Sequence, residues 1–258
     1  MKIVFIGAGN LACCVSMEMQ RTGMTVAQIY NRTPEHAEAL AKKLNCRWTS
    51  HLREIIPDAD LYIFSLKDTA LPKVIPHLKP NDGLWVHTAG SVPMNIFEGY
   101  ARRYGVFYPL QTFSKKCRFA LDGTPIFLEV SQPEDMKMLK KVANALSGNV
   151  QEAHSEKRRY IHLAAVFACN FTNHMYHLAA KLLEQQGMSY ELLLPLIAET
   201  ARKINDLPPL DAQTGPAVRF DQDVLEKQHQ MLAGEPAMQV IYKLLSRNIY
   251  KEKIGNNE

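Results

Sequence analysis

Two sets of residues in this chain have types and spacings that could do chemistry. The first is Gly7-Ala8-Gly9-Asn10-Leu11-Ala12, a G-x-G-x-x-A turn directly after the apolar run Ile3-Val4-Phe5-Ile6. Such a turn suits a dinucleotide. The first glycine permits a tight turn, the second lets backbone approach a pyrophosphate, and a small third residue lets the next helix pack on the strand. A helix starting near Asn10 then offers unpaired N–H groups and the positive end of its dipole to phosphates. The second set is Asn170, Asn173, His174 and His177, which lie on a long helical pattern. At roughly 100° per residue they share about a quarter of the helix circumference. A polar patch beside an apolar face is either a wall of a wet active site or an interface contact with satisfied hydrogen bonds.

Further candidates follow from the ends of the strand-like runs. Thr25-Val26-Ala27-Gln28-Ile29-Tyr30 ends at Asn31-Arg32-Thr33-Pro34, where Thr33 can cap a helix that Pro34 opens. Asp and Glu are missing from this strand end, and Arg32 stands there instead. A guanidinium suits a ribose 2′-phosphate in charge and planar geometry, which selects NADP over NAD. The other reading of Arg32 is a solvated loop arginine. Ser65, Leu66 and Lys67 follow the apolar strand Leu61-Tyr62-Ile63-Phe64, with Asp68 as a helix cap. Ala89, Gly90 and Ser91 follow the strand Gly83 to His87 and complete the cofactor set.

Gln111, Thr112 and Ser114 follow the strand Gly105 to Pro109, and Gln213 and Thr214 precede Gly215-Pro216. Gln111, Asn170, Asn173 and His174 are candidates to polarise a substrate, with Thr112, Ser114, His177, Gln213 and Thr214 as substrate contacts. Turn chemistry rivals that reading in both loops. His174 suits a proton role because imidazole titrates near neutral pH. The His174 and His177 spacing departs from H-E-x-x-H and brings no carboxylate, so no metal is expected. Cys169 lacks an acyl-transfer motif around it and reads as a buried structural thiol.

These residues need a scaffold. Strands alternating with helical segments up to about Ala153 imply right-handed βαβ units and a doubly wound, mostly parallel α/β sheet over residues 1–153. A helix over Pro133 to Leu146 closes that domain. Residues 154–258 read as an all-α domain built on one long helix, Ser155 to Gln186, with further helices over Tyr190–Asn205, Asp221–Leu232 and Pro236–Tyr250. Leu207 to Pro216 reads as a rigid loop. So long a helix, with the apolar tail around Tyr242 to Leu245 and Ile249-Tyr250, predicts a homodimer.

Composition sets the class. Hydrophobic residues make up 47% and charged residues 22%, as in globular proteins. The net charge of +4, with only Lys115-Lys116 and Lys157-Arg158-Arg159 clustered, argues against a nucleic-acid partner. Five scattered cysteines without C-x-x-C spacing read as a reduced, cytoplasmic chain lacking structural zinc. Lys2 precedes an apolar run, but Gly7, Gly9 and Asn10 interrupt it, so a first strand is expected and not a signal peptide. No membrane partner is expected, because no run of about eighteen apolar residues occurs.

With these residues placed, the chain resembles the two-domain family of 6-phosphogluconate dehydrogenase-like and pyrroline-5-carboxylate reductase-like enzymes. Gly7 to Ala12, Tyr30 to Thr33 and Thr88 to Ser91 carry that resemblance. It is more similar still to a bacterial branch that joins a Rossmann domain to a helical C-terminal domain of unknown function. That likeness lies in Pro109 to Ser114, Cys169 to His174 and Gln213 to Ala217. The resemblance implies an NADP-dependent oxidoreductase moving a hydride to or from a small carbonyl or imine in an interdomain cleft. Hydroxyacid dehydrogenases of this superfamily carry a catalytic lysine one turn before an asparagine on the long helix, where this chain has Val166 before Asn170. Lysine-based alcohol oxidation therefore does not fit, while reduction with Asn, His or Gln as polarising groups does. A rival class is a non-catalytic NADP-binding sensor or scaffold. Hydride exchange between NADP and a deazaflavin is suggested by the Rossmann half alone, and the helical domain argues against it.

Overall fold

The computed structural model describes residues 1–114 and 121–255. The basic pair Lys115-Lys116 and Cys117 lie outside the described residues. Among the described residues eight strands form one sheet: β1 (Lys2–Ile6), β2 (Thr25–Tyr30), β3 (Arg47–Thr49), β4 (Leu61–Phe64), β5 (Leu84–His87), β6 (Tyr104–Pro109), β7 (Ile126–Val130) and β8 (Val150–Glu152). Their order is β3-β2-β1-β4-β5-β6-β7-β8. The first six are parallel, β7 runs antiparallel to β6, and β8 runs parallel to β7.

The helices are α1 (Asn10–Arg21), α2 (Pro34–Leu44), α3 (Leu71–Val74), α4 (Pro133–Asn144) and α5 (Ser155–Ala165), followed by a π-helical segment (Val166–Phe171). After it come α6 (Thr172–Glu184), α7 (Leu194–Lys203), α8 (Pro216–Arg219), α9 (Gln222–Met231) and α10 (Pro236–Gly255).

Alternation along the central strands fills both faces of the sheet. Ile3 and Phe5 join the residues of α1, α2 and α4 in one core, while Val4 and Ile6 join Tyr62, Phe64, Trp85 and Phe97 in another. The aromatic rings of the second core touch tilted or edge-on, with Phe64 and Phe97 centroids 5.0 Å apart.

Several expectations change. β8 falls where the sequence predicts only a domain end; three residues are too short to show a period. The long helix is interrupted by the π segment, so the count at a fixed angle per residue fails across Val166 to Phe171. The predicted loop up to Pro216 runs on into α8. Thr33 is the N-cap residue of α2, yet its side chain makes no capping bond; the carbonyl instead accepts from His36 N at 3.2 Å. Cys169 is exposed and not buried. Cys13 and Cys46 are also free thiols, whereas Cys14 is disulfide-bonded, which corrects the reading of a fully reduced chain.

The chain divides into two compact units, Met1–Asn170 and Phe171–Glu258. The division falls after the boundary at residue 153 expected from the sequence, because the start of α5 is fastened to the sheet. Glu129 on β7 accepts from Ser155 N at 2.9 Å and Ser155 Oγ at 2.8 Å, and pairs with Arg158. In the second unit only Ala217, Leu232 and Met238 are buried apolar residues among those described. Phe220 stacks on Tyr250 with centroids 4.4 Å apart, tying α8 to α10. No described helix is long and apolar enough to cross a membrane.

Candidate cofactor and active site

The strand order reverses beside β1, between β2 and β4, and ligands of such sheets lie beyond the carboxyl ends of the strands at that point. The glycine turn sits there. Gly7 has φ +116°, its N–H donates to Tyr30 O at 2.7 Å, and a Cβ on it would lie 2.1 Å from Ser65 O. No other residue fits that position. A Cβ on Gly9 would meet nothing within 4 Å, so the turn is open on its outer side. Gly9 is the N-cap of α1 and makes no side-chain cap; the first helical bond runs from Cys13 N to Gly9 O. The N–H groups of Asn10, Leu11 and Ala12 therefore lack helical partners, as a phosphate site requires. Ala12 is fully buried against the sheet.

Asn31 ties two parts of this rim together. Its Oδ1 accepts from Ala8 N at 3.2 Å and its Nδ2 donates to Thr33 O at 3.0 Å. Arg32 is exposed and makes no ion pair or hydrogen bond among the described residues. The structure brings Ser65, Leu66 and Lys67 to the end of β4 and Ala89, Gly90 and Ser91 to the end of β5. Asp68 does not cap a helix as expected; Lys67 holds the N-cap place, and Asp68 accepts a short hydrogen bond from Ser91 Oγ. The strand-ending His87 is fully buried, with Nδ1 accepting from Ala89 N at 3.2 Å. Burial, aided by the Arg158 charge, brings its imidazole down to about 3, so it is neutral.

At the end of β6, Gln111 Oε1 accepts from Thr112 N at 2.8 Å, and Asn10 Nδ2 donates to Phe113 O at 3.1 Å. This anchors the segment beside α1; Ser114 ends it. Asn170 is the exposed last residue of the first unit. Asn173, His174, His177, Gln213 and Thr214 belong to the second unit and are exposed. The His174 and His177 rings are 6.1 Å apart, and no group of three metal-binding side chains occurs among the described residues.

The sequence reading missed a cluster in the first unit. Tyr108, at the end of β6, has its hydroxyl 2.9 Å from His162 Nδ1 on α5. The His162 ring covers Gly90 so closely that a Cβ there would lie 2.7 Å from its Cγ and Nδ1. One helical turn earlier, Arg158 is fully buried, pairs with Glu129 and donates to Val92 O at 2.6 Å and Ser155 Oγ at 3.2 Å. Burial pulls the Arg158 guanidinium below its ordinary value, opposed by the hydrogen bond and charge of Glu129. Burial pushes the Tyr108 phenol up to about 12. The readable signal was the spacing Ser155, Arg158, His162, which puts three polar side chains on one face of α5.

Residues 2–87 match the family model for NADP oxidoreductase, coenzyme F420-dependent, and residues 124–249 match a domain of unknown function (DUF2520). A candidate NADP oxidoreductase from Bacteroides fragilis, known from its crystal structure, is 49% identical over 97% of this chain and 98% of its own, with a TM-score of 0.92. The chain belongs to the NADP oxidoreductase family. The fold is also that of 1-pyrroline-5-carboxylate reductase from Streptococcus pyogenes, 13% identical over 97% of this chain and 98% of that one, TM-score 0.65. An imine reductase from Myxococcus stipitatus, solved with NADP+, is 15% identical over 97% of this chain and 92% of that one, TM-score 0.62. No curated protein matches. Membership in this family gives the open turn at Gly9 its ligand: the cofactor is NADP(H).

Proposed function

We propose that this NADP oxidoreductase reduces a small carbonyl or imine compound with NADPH, and that it does so as a cytoplasmic homodimer. The observation that carries the reading is the unshielded N-terminus of α1 at Gly9, with an unpaired Arg32 at one side. In this reading Gly7, Gly9, Asn10, Leu11 and Ala12 hold the pyrophosphate. Asn31, Arg32 and Thr33 take the adenosine phosphate, and Ser65 to Lys67 with Ala89 to Ser91 line the rest. When bound, the nicotinamide supplies hydride to an electrophilic carbon; the protein orients the partners, excludes water and handles the proton. Thr112 and Ser114 contact the substrate. Gln111, Asn170, Asn173 and His174 polarise it, with His177, Gln213 and Thr214 as further contacts.

The names of similar proteins support the substrate class, since one reduces a cyclic imine acid and another is an imine reductase. The test is a panel of small aldehydes, ketones and cyclic imines, read by loss of NADPH absorbance. Turnover with at least one class and tighter binding of NADPH than NADH are expected; tight NADPH binding with no turnover would favour a sensor. Asn170→Ala and His174→Ala should reduce turnover while keeping NADPH affinity within about threefold, since Rossmann loops hold the nucleotide. If both variants unfold, the patch is structural.

A further inference from the structure

We infer that His162 is the catalytic acid–base residue of this site, passing its Nε2 proton to the heteroatom of the substrate double bond, with Tyr108 as its positioning residue. The inference rests on the reductase reading above and names the residue that completes it.

Three observations converge. First, place: Gly90 lies just past the end of β5, on the ligand side of the sheet and away from the adenosine half at β2 and β3. His162 lies directly on it. Second, orientation: the Tyr108 hydroxyl engages Nδ1 at 2.9 Å, while Nε2 has no hydrogen-bond partner among the described residues. The ring is partly exposed, and Nε2 is absent from the sealed, unpartnered polar atoms, which are His87 Nε2, Asp135 Oδ2 and Arg158 Nε. One nitrogen is held and the other is open. Third, rigidity: Arg158 and Ser155 clamp α5 to Glu129 and Val92 one and two turns before His162. A proton donor fixed in this manner loses little entropy when it acts.

The steps balance. Hydride reaches the substrate carbon, and the π electrons of the double bond move to its oxygen or nitrogen. The Nε2–H bond of the imidazolium breaks, and the heteroatom takes that proton. Nδ1–H remains hydrogen-bonded to the Tyr108 oxygen throughout, and solvent returns a proton to Nε2. One double bond, one hydride and one proton give one alcohol or amine. Because the Tyr108 phenol keeps its own proton to about pH 12, it stays a neutral partner at working pH. The charged groups around the pair are Arg158 on α5, its partner Glu129 on β7, and Asp68 beyond β4, which couples to Tyr108.

The test uses the full-length protein, His162→Gln and Tyr108→Phe. In ¹⁵N spectra the neutral His162 ring should carry its proton on Nδ1 in wild type and revert toward Nε2 in Tyr108→Phe. His162→Gln should bind NADPH within about threefold of wild type and lose about 10²–10⁴ in single-turnover NADPH oxidation with the substrate panel. Proton on Nε2 in wild type, or undiminished turnover by His162→Gln, would overturn the assignment and leave the reductase reading intact. A wild type that oxidises no NADPH with any panel member would overturn both.

Discussion

Arg32 and His162 carry opposite lessons about what a side chain tells on its own. Arg32 is readable because strand ends are readable: it sits just after β2, where a nucleotide ribose must pass. Losing one charge-assisted phosphate contact costs about 1.5–3 kcal/mol, or roughly 10–100-fold in affinity. Arg32→Ala should therefore weaken NADPH by that factor and leave NADH unchanged in calorimetric titration. His162 acquires meaning only from Tyr108, which lies 54 positions earlier, and no local pattern announces that pairing. Arg158 is similar, because lysine- and arginine-rich runs read as solvated faces until a fold buries one member. It is fully buried against Glu129, and removing one partner of such a pair costs about 3–5 kcal/mol. Glu129→Ala should lose that much stability in denaturant unfolding. His87 makes a pH prediction. Its folded value near 3 lies below the ordinary imidazole value, so below about pH 6.5 the unfolded chain binds a proton that the folded chain refuses. Stability should fall as pH drops from about 6.5 toward 3, and His87→Gln should flatten part of that slope in thermal melts across pH.

Elements with a repeating pattern are the ones that could be read. β2 begins and ends at Thr25 and Tyr30 as its alternation implies, and the turn at Gly7 follows from the strand that precedes it. Gly7→Ala should remove NADPH binding and lower the melting temperature, because a Cβ there collides with Ser65 O and φ +116° strains any side chain. A folded variant with unchanged cofactor affinity would contradict the proposed cradle. β8 and the π segment escaped notice for different reasons. β8 is an edge strand of three residues defined only by pairing with β7. The π segment, Val166 to Phe171, contains neither glycine nor proline, so nothing marks the change of period. A π turn takes more residues than the 3.6 of an α turn, so a uniform count does not carry through this segment.

For the molecule as a whole, the strand signal stops near Ala153, while the first compact unit runs on to Asn170, with α5 fastened to the sheet through Glu129. The second unit keeps few apolar side chains from water: Leu196 is 63% exposed, Val240 67% and Leu244 66%. In the proposed dimer a second copy of the chain would cover part of this apolar surface. Light scattering at micromolar concentration should give twice the 29.2 kDa chain mass; a monomer would refute the proposed dimer.

The clamp of Ser155 and Arg158 on Glu129 also governs how such chains can be recombined. Shuffled genes that cross over after Asn170 inherit the clamp, Tyr108 and His162 from one parent. A seam at residue 153 looks natural from the strand and helix pattern, yet it takes Glu129 and Tyr108 from one parent and Ser155, Arg158 and His162 from the other. Libraries built to exchange substrate preference should therefore yield most of their functional clones from the later seam.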